Sequence, residues 1–232
     1  MADYRFYLDR VLKKKKLQDN YALRFDGVND YCEVPDSLSV YSFIQNTLVF
    51  TIELRIKIID LSIDSNIIST TRFTTEKGLT FRYADGQIRF FITKGINANP
   101  VLNCNADVNT TIHNGYNDII IKSFGAGNNI EMIVNNTPLN VTYARNYSSL
   151  STGDSTYNLH MGRIPIFSTL GNMEVDYIKI WNEYKTDDSD SGLVSHWKFN
   201  EGGGCIAADS VGGYDANLMP DCPTNSPEWI KL

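Results

Sequence analysis

The sequence predicts an all-β protein built as a sandwich of two antiparallel sheets. Short runs in which apolar and polar residues alternate recur along the chain, the mark of half-buried strands. Turn residues separate these runs at regular spacing. Almost no window shows the 3.6-residue periodicity of an amphipathic helix. Composition agrees, because 12% of the residues are aromatic, with 13 Tyr and 11 Phe, a bias that suits strands. The 232 residues fit one such unit, since all-β folds run to ~200–250 residues as a single domain.

In chain order, Tyr4, Phe6 and Leu8 alternate with Arg5, Tyr7 and Asp9, a strand or an extended arm. The basic run Lys13–Lys16 follows and also suits the start of a short helix; a solvated charged end is its simplest reading. Residues 1–20 are therefore expected to form an N-terminal arm. Strand signals dominate from Tyr21. Leu23 and Phe25 alternate with Arg24, Asp26-Gly27 and Asn29-Asp30 supply a polar turn, and Tyr31, Cys32 and Val34 restart the strand until Pro35 removes a backbone donor. In Leu48–Ile59, Ile52, Leu54, Ile56 and Ile58 share one face and Thr51, Glu53, Arg55 and Lys57 the other. Asn66–Ser69 comes next. Leu79–Tyr83 and Gln87–Ile92 flank Ala84-Asp85-Gly86, a strong hairpin signal. Asn97–His113 reads as loop. Asp118–Lys122 pairs with Ile130–Val134, Asn135-Asn136-Thr137-Pro138 turns the chain toward Leu139–Tyr143, and Asn158–Arg163 and Gly171–Trp181 are further strands. Residues 21–186 thus form the expected sandwich. An acidic linker, Asp187–Gly192, opens residues 187–232, accessory strands expected to pack back on it because Trp197, Phe199 and Trp229 are costly to leave in water.

Charge and composition exclude several classes. The formal net charge is −6 and the pI about 5.1, which argues against nucleic acid, whose phosphates need clustered Lys and Arg. No stretch approaches the ~18 apolar residues of a membrane span. The first residues lack the apolar core of a signal peptide, so synthesis in a cytoplasm is expected. Cys32, Cys104, Cys205 and Cys222 form no Cys-x-x-Cys pair and show no zinc spacing; all four read as reduced and structural. The sequons at Asn109, Asn135, Asn140 and Asn146 read as the Asn- and Thr-rich composition of surface loops.

The segment Ala22–Ser37, the strand Gly171–Trp181 and the stretch Gly192–Gly213, with its Trp197-Lys198-Phe199-Asn200-Glu201-Gly202 core, resemble the laminin-G-like, concanavalin A-like superfamily of jelly-roll sandwiches. The resemblance spans about residues 21–182, with 192–230 as an accessory piece. In that family the last stretch usually precedes the first; here it follows it. Members include carbohydrate-binding modules, adhesion domains, virion appendages and glycoside hydrolases, so catalysis is tested on the residues. The glucanase branch carries a Glu-x-Asp-x-(x)-Glu run, two acids set ~5–5.5 Å apart for retaining hydrolysis. Only Glu174-Val175-Asp176 approaches it, and the second Glu is absent. There is no Gly-x-Ser-x-Gly elbow. His113, His160 and His196 show no metal spacing, and Gly202-Gly203-Gly204 lacks the Lys-Ser/Thr of a phosphate loop.

The resemblance implies a structural Ca²⁺ on the convex face, held by Asp176 on the closing strand together with Asp26 and the Asn29-Asp30 turn; the alternative is that these aspartates only bond neighbouring backbone. Tyr116, Tyr143, Tyr147 and Tyr157 are loop aromatics of the kind that stack on sugars. The expected function is a non-enzymatic structural or adhesion module of a virion, a tail or head appendage with glycan recognition as a candidate activity. It would dock on other virion or surface proteins through the arm, or on a second copy of itself, without nucleic acid or membrane insertion. The alternatives are a carbohydrate-binding lectin domain of a bacterial surface protein and, third, a glycoside hydrolase.

Overall fold

The computed structural model describes residues 21–72, 76–94, 102–125, 127, 129–146, 153–166 and 170–232; the expected arm, 1–20, lies outside the described residues. The chain opens with β1 (Tyr21–Asp26), β2 (Tyr31–Val34) and a short helix, α1 (Phe43–Thr47). It continues through β3 (Val49–Ile58), β4 (Ser65–Ser69), β5 (Lys77–Ala84), β6 (Gln87–Lys94), β7 (Leu102–Asp107) and β8 (Asn117–Phe124). Then come β9 (Ile130–Val134), β10 (Thr137–Pro138), β11 (Thr142–Asn146), β12 (Leu159–Met161) and β13 (Asn172–Trp181). The last are β14 (Leu193–Trp197), β15 (Ile206–Ala207), β16 (Ala216–Met219) and β17 (Glu228–Lys231). They build a two-sheet antiparallel jelly-roll sandwich. An eight-stranded sheet runs β10-β9-β8-β3-β13-β1-β17, with β14 also on β13; a nine-stranded sheet runs β11-β7-β6-β5-β4-β12-β2-β16-β15.

Alternation accounts for the core. Phe50, Ile52, Leu54, Ile56 and Ile58 of β3 point inward and are at most 2% exposed; burying such side chains is worth ~1.5–3 kcal/mol each. Across the gap, Phe50 meets Phe90 of β6 with ring centroids 5.4 Å apart. The β5–β6 hairpin turns on Asp85 (φ 50°) and Gly86 (φ 71°), both left-handed, so the turn twists in the sense of its strands. Asn135 (φ 48°) and Asn136 (φ 68°) do the same between β9 and β10.

Three local expectations need correction. Within Asn97–His113, expected to be loop, residues 102–107 form β7: Leu102, Cys104 and Ala106 are buried while Asn103, Asn105 and Asp107 face outward. The polar composition masked a strand whose period was intact. The strand expected at Leu139–Tyr143 is split, with β11 starting only at Thr142. The strand expected at Asn158–Arg163 stops at Met161, because Gly162 turns at φ 82° and a Cβ there would strike the Phe25 ring.

Residues 192–232 contribute to both sheets. β14 pairs with β13 and β17 with β1, while β16 pairs with β2 and β15 with β16. Trp197 is fully buried, 6.3 Å from Tyr41, and its Nε1 donates to the Tyr214 carbonyl at 2.9 Å. The Gly-rich loop that follows is gathered on one carboxylate. Asp209 accepts the backbone N–H groups of His196 (2.8 Å), Val211 (3.0 Å), Gly212 (3.2 Å) and Tyr214 (3.2 Å).

The cysteines divide, contrary to the expectation that all are reduced. Cys205 and Cys222 form a disulfide across a separation of 17 residues, and Cys32 and Cys104 are buried free thiols. The bridge joins the entry of the β15–β16 hairpin to the segment leading into β17, where Trp229 Nε1 donates to the Gly204 carbonyl at 2.9 Å.

Asp209→Ala leaves four N–H groups without their acceptor and is expected to cost ~3 kcal/mol or more in urea unfolding. The double variant Cys205→Ser/Cys222→Ser frees a short loop and should lose ~2–3 kcal/mol by the same measurement. A loss under ~0.5 kcal/mol for either would show that the C-terminal clasp contributes little.

Candidate functional site

The two outer faces of the sandwich differ in what they leave open. On the eight-stranded sheet the outward side chains neutralise one another. Arg55 of β3 pairs with Asp118 of β8 and with Asp176 of β13, each at 3.3 Å. Lys57 lies 3.2 Å from Glu174, which also accepts the Tyr116 hydroxyl at 3.1 Å. Lys179 reaches Glu53 at 3.8 Å, and the Tyr177 hydroxyl donates to the same carboxylate at 2.9 Å. Farther along, the segment after β13 lies over the sheet: Thr51 Oγ1 donates to the Glu183 carbonyl, and Lys122 Nζ to the Lys185 carbonyl.

These contacts decide the predicted carboxylates. Asp176 sits at a β-bulge, where the register of β13 on β3 slips between Val175 and Tyr177; a bulge re-aims its extra side chain, here onto Arg55. Asp26 opposes Asn172, so it and Asp176 stand four positions apart along β13, roughly 13 Å at strand rise. Asp26 Oδ1 accepts the N–H groups of Val28 (2.7 Å) and Asn29 (3.3 Å), and Asp30 accepts that of Asp26. The two aspartates thus engage different partners, and among the described residues no group of three or more His, Cys, Asp or Glu side chains is placed to hold a metal. Glu174 and Asp176 are each tied to a cation, Lys57 and Arg55.

On the nine-stranded sheet the outward side chains form a different surface. In β2, Cys32 and Val34 fill the core, so Tyr31 and Glu33 point out; in β12, Leu159 and Met161 are buried and His160 faces outward. Register then sets Glu33 beside His160 and Asn217, and Tyr31 beside Met219. The row continues from His160 through Ser69, Thr80 and Phe91 to Asn103. A second row holds Asn66, Arg82, Arg89 and Asn105. Asn66, Ser69 and Thr80 are fully buried although they lie on the outer side, so the face is recessed.

At its centre the Tyr31 and His160 rings stack, with centroids 5.7 Å apart and an interplanar angle of 27°. The Arg163 guanidinium lies over the other part of this stack, 4.1 Å from the Tyr31 ring centroid. His160 Nδ1 bonds the Asn158 carbonyl at 2.9 Å, which fixes the ring, and Nε2 lies 3.7 Å from Glu33. Burial holds the imidazole below its ordinary pKa of 6.5; the Asn158 carbonyl and Glu33 oppose this, and Arg163 reinforces it. The ring is therefore neutral at pH 7. Asn158 Nδ2 donates to Glu33 at 2.8 Å. An aromatic pair surrounded by amides, a carboxylate and a guanidinium carries the kinds of groups that contact sugar rings and bond their hydroxyls.

The loop tyrosines nominated from the sequence lie elsewhere. Tyr116 is bound to Glu174, Tyr157 donates to Glu76 at 3.0 Å, and Tyr147 is outside the described residues. Tyr143 lines a groove of about 330 Å³ with Ile130, Met132, Leu139 and Val141, its hydroxyl held by the backbone of Ile130. Of the histidines, His113 accepts a turn N–H from Gly115, and His196 lies on the opposite face, opposed to Lys179.

Solved structures of the same fold include a protein from Bacteroides ovatus assigned provisionally to carbohydrate binding, with 14% identity and a TM-score of 0.64, covering 93% of this chain and 61% of that one. They include the CBM40 domain of the Ruminococcus gnavus IT-sialidase, with 10% identity and a TM-score of 0.54, covering 72% and 92%. A second structure of that domain holds α2,3-sialyllactose. The leech intramolecular trans-sialidase matches at 13% identity and a TM-score of 0.53, covering 74% of this chain and 26% of its own. This chain thus spans about three fifths of the Bacteroides ovatus protein. No family model matches the sequence, and no curated protein matches it. At these identities the likeness establishes the jelly-roll fold.

One titration tests the Asp26–Asp30 turn. Burial pushes the Asp30 carboxyl up to about 6, the Asp26 N–H it accepts works against this, and the Asp26 and Glu228 carboxylates add to it. A raised carboxyl favours the protonated native state, so its contribution is full below pH 3.8 and is lost as pH rises through about 6. Asp30→Asn should therefore stabilise the protein at pH 7 by ~1 kcal/mol, allowing for solvent screening, and leave stability near pH 4 unchanged. Equal effects at both pH values in urea unfolding would refute the assignment.

Proposed function

We propose that this protein is a non-catalytic glycan-binding module and that its sugar site is the Tyr31–His160–Arg163 face of the nine-stranded sheet. The observation that carries the reading is the outward aromatic stack, fixed by strand register and flanked by Arg163, Glu33, Asn158 and Asn217. Sugar recognition by a protein of this fold is illustrated by the sialyllactose complex of the Ruminococcus gnavus domain. The non-catalytic reading draws on the engagement of Glu174 and Asp176 by Lys57 and Arg55. The proposed carrier is a virion, as a tail or head appendage. The Cys205–Cys222 bridge supports a working place outside a reducing cytosol, which suits a lectin domain on a cell surface equally well.

A glycan array probed with the purified chain tests the reading. Saturable binding is expected, and Tyr31→Ala should weaken it by about tenfold or more through loss of the ring that positions His160 and Arg163, with the fold retained by circular dichroism. Absence of binding to any glycan, or full binding by Tyr31→Ala, would remove the assignment. Mass spectrometry of purified particles and of cell envelopes decides the carrier: recovery in envelopes alone assigns the module to a bacterial surface protein.

A further inference from the structure

We infer that the ligand of this face carries a carboxylate, and that Arg163 receives it; this rests on the glycan-binding reading and narrows it to acidic sugars. Among the described residues, the other half-buried arginines already have anionic partners. Arg55 is paired with Asp118 and Asp176, Arg72 with Glu76, Arg82 with Asp64 and Arg89 with Asp85. Arg163 is also half-buried, yet no carboxylate of the described residues lies within ion-pair distance of it. Its Nε is enclosed and bonds nothing, and its terminal amino groups bond nothing among the described residues.

Enclosing a guanidinium edge without an acceptor is costly, and the Arg163 guanidinium is held over Tyr31, its carbon 4.1 Å from the ring centroid. The bridge between Arg163 and Leu170 anchors its backbone, and the left-handed turn at Gly162 sets its direction. What results is a guanidinium oriented in advance whose terminal amino groups have no acceptor among the described residues. A carboxylate matches the two terminal amino groups with two parallel hydrogen bonds, which a hydroxyl cannot do. The Tyr31 hydroxyl has no partner among the described residues either and stands ready beside the same ring. Glu33, the nearest like charge on this row, is occupied by Asn158 Nδ2 and set against His160. The net charge of −6 does not outweigh this contact, because charges farther than ~8 Å are screened at physiological ionic strength.

Calorimetric titration of the full chain at pH 7 tests the inference. The probes are 3′-sialyllactose and a disaccharide ending in glucuronic acid, each against its methyl ester, with lactose as the neutral control. At least one acid should bind, with its ester about tenfold to a hundredfold weaker, and the preferred acid separates the sialic from the uronic class. Arg163→Gln should bring the acid down to the ester's affinity, and Arg163→Lys, which keeps the charge without the fork, should recover only part. The two variants guard against loss of fold, checked by circular dichroism. Esters that bind as tightly as acids, or an Arg163→Gln variant with undiminished affinity, overturn the inference while a Tyr31-dependent glycan site stands. Absence of binding by acidic and neutral sugars alike removes both.

Discussion

The whole sandwich is organised around β13, which must be paired along both of its edges. On one side β3 follows it from Met173–Ile58 to Trp181–Thr51. On the other, no single strand does so: β1 covers Asn172–Val175 and β14 covers Ile178–Trp181. Backbone N–H and C=O groups in a buried strand cannot be left without partners. The middle of the fold therefore stays incomplete until residues as far apart as Leu23 and Trp197 meet on one strand. The bulge at Asp176 falls where β1 hands over to β14, and it places the one extra side chain on Arg55 rather than in the core.

That arrangement explains why the C-terminal stretch is so heavily tied down. Trp197 enters the core opposite Ile178 and needs a partner for its indole N–H, which only the Tyr214 carbonyl supplies among the described residues. Tyr214 lies in a Gly-rich loop and packs edge-on against Tyr41, and the loop is gathered on Asp209. From there β16 extends the nine-stranded sheet beside β2, and the disulfide ties the hairpin to the approach of β17. The same segment that completes one sheet thus sets Asn217 and Met219 next to Glu33 and Tyr31.

The regular elements were legible in the sequence because their physics is local. Alternation marked β3, and Asp85-Gly86 between two alternating runs marked the β5–β6 hairpin. β7 was hidden by its own composition, since Asn103, Asn105 and Asp107 are poor strand formers on the outward side, although Leu102, Cys104 and Ala106 kept the period. The pairing of Cys205 with Cys222 is set by the hairpin between them and has no spacing signature. The candidate site was half readable: alternation alone turns Tyr31 and Glu33 outward. Its other half comes from His160 and Arg163, joined to them only through the pairing of β12 with β2, a contact across more than a hundred residues. Loop position pointed instead to Tyr116, Tyr143 and Tyr157, whose hydroxyls turn out to be engaged inside the protein.

The contrast between the two outer faces argues for a division of labour. A ligand approaching the eight-stranded sheet would have to break Arg55–Asp118, Arg55–Asp176 or Lys57–Glu174, leaving a partly buried charge without its partner, a loss larger than most sugar hydroxyls return. Farther along it would meet the segment fastened to Thr51 and Lys122. On the nine-stranded sheet Arg82 and Arg89 are paired with Asp64 and Asp85 in the same way, but no ion pair has to be broken at Arg163 among the described residues. Tyr31 and His160 offer a preformed stack, the His160 ring is fixed through Asn158, and the Arg163 fork lacks an acceptor among the described residues. Preorganised groups that gain partners on binding, instead of losing them, favour association. Both outer faces thus carry internal ion pairs, and the Tyr31–His160–Arg163 part of the nine-stranded sheet is where a guanidinium stays without an acceptor among the described residues.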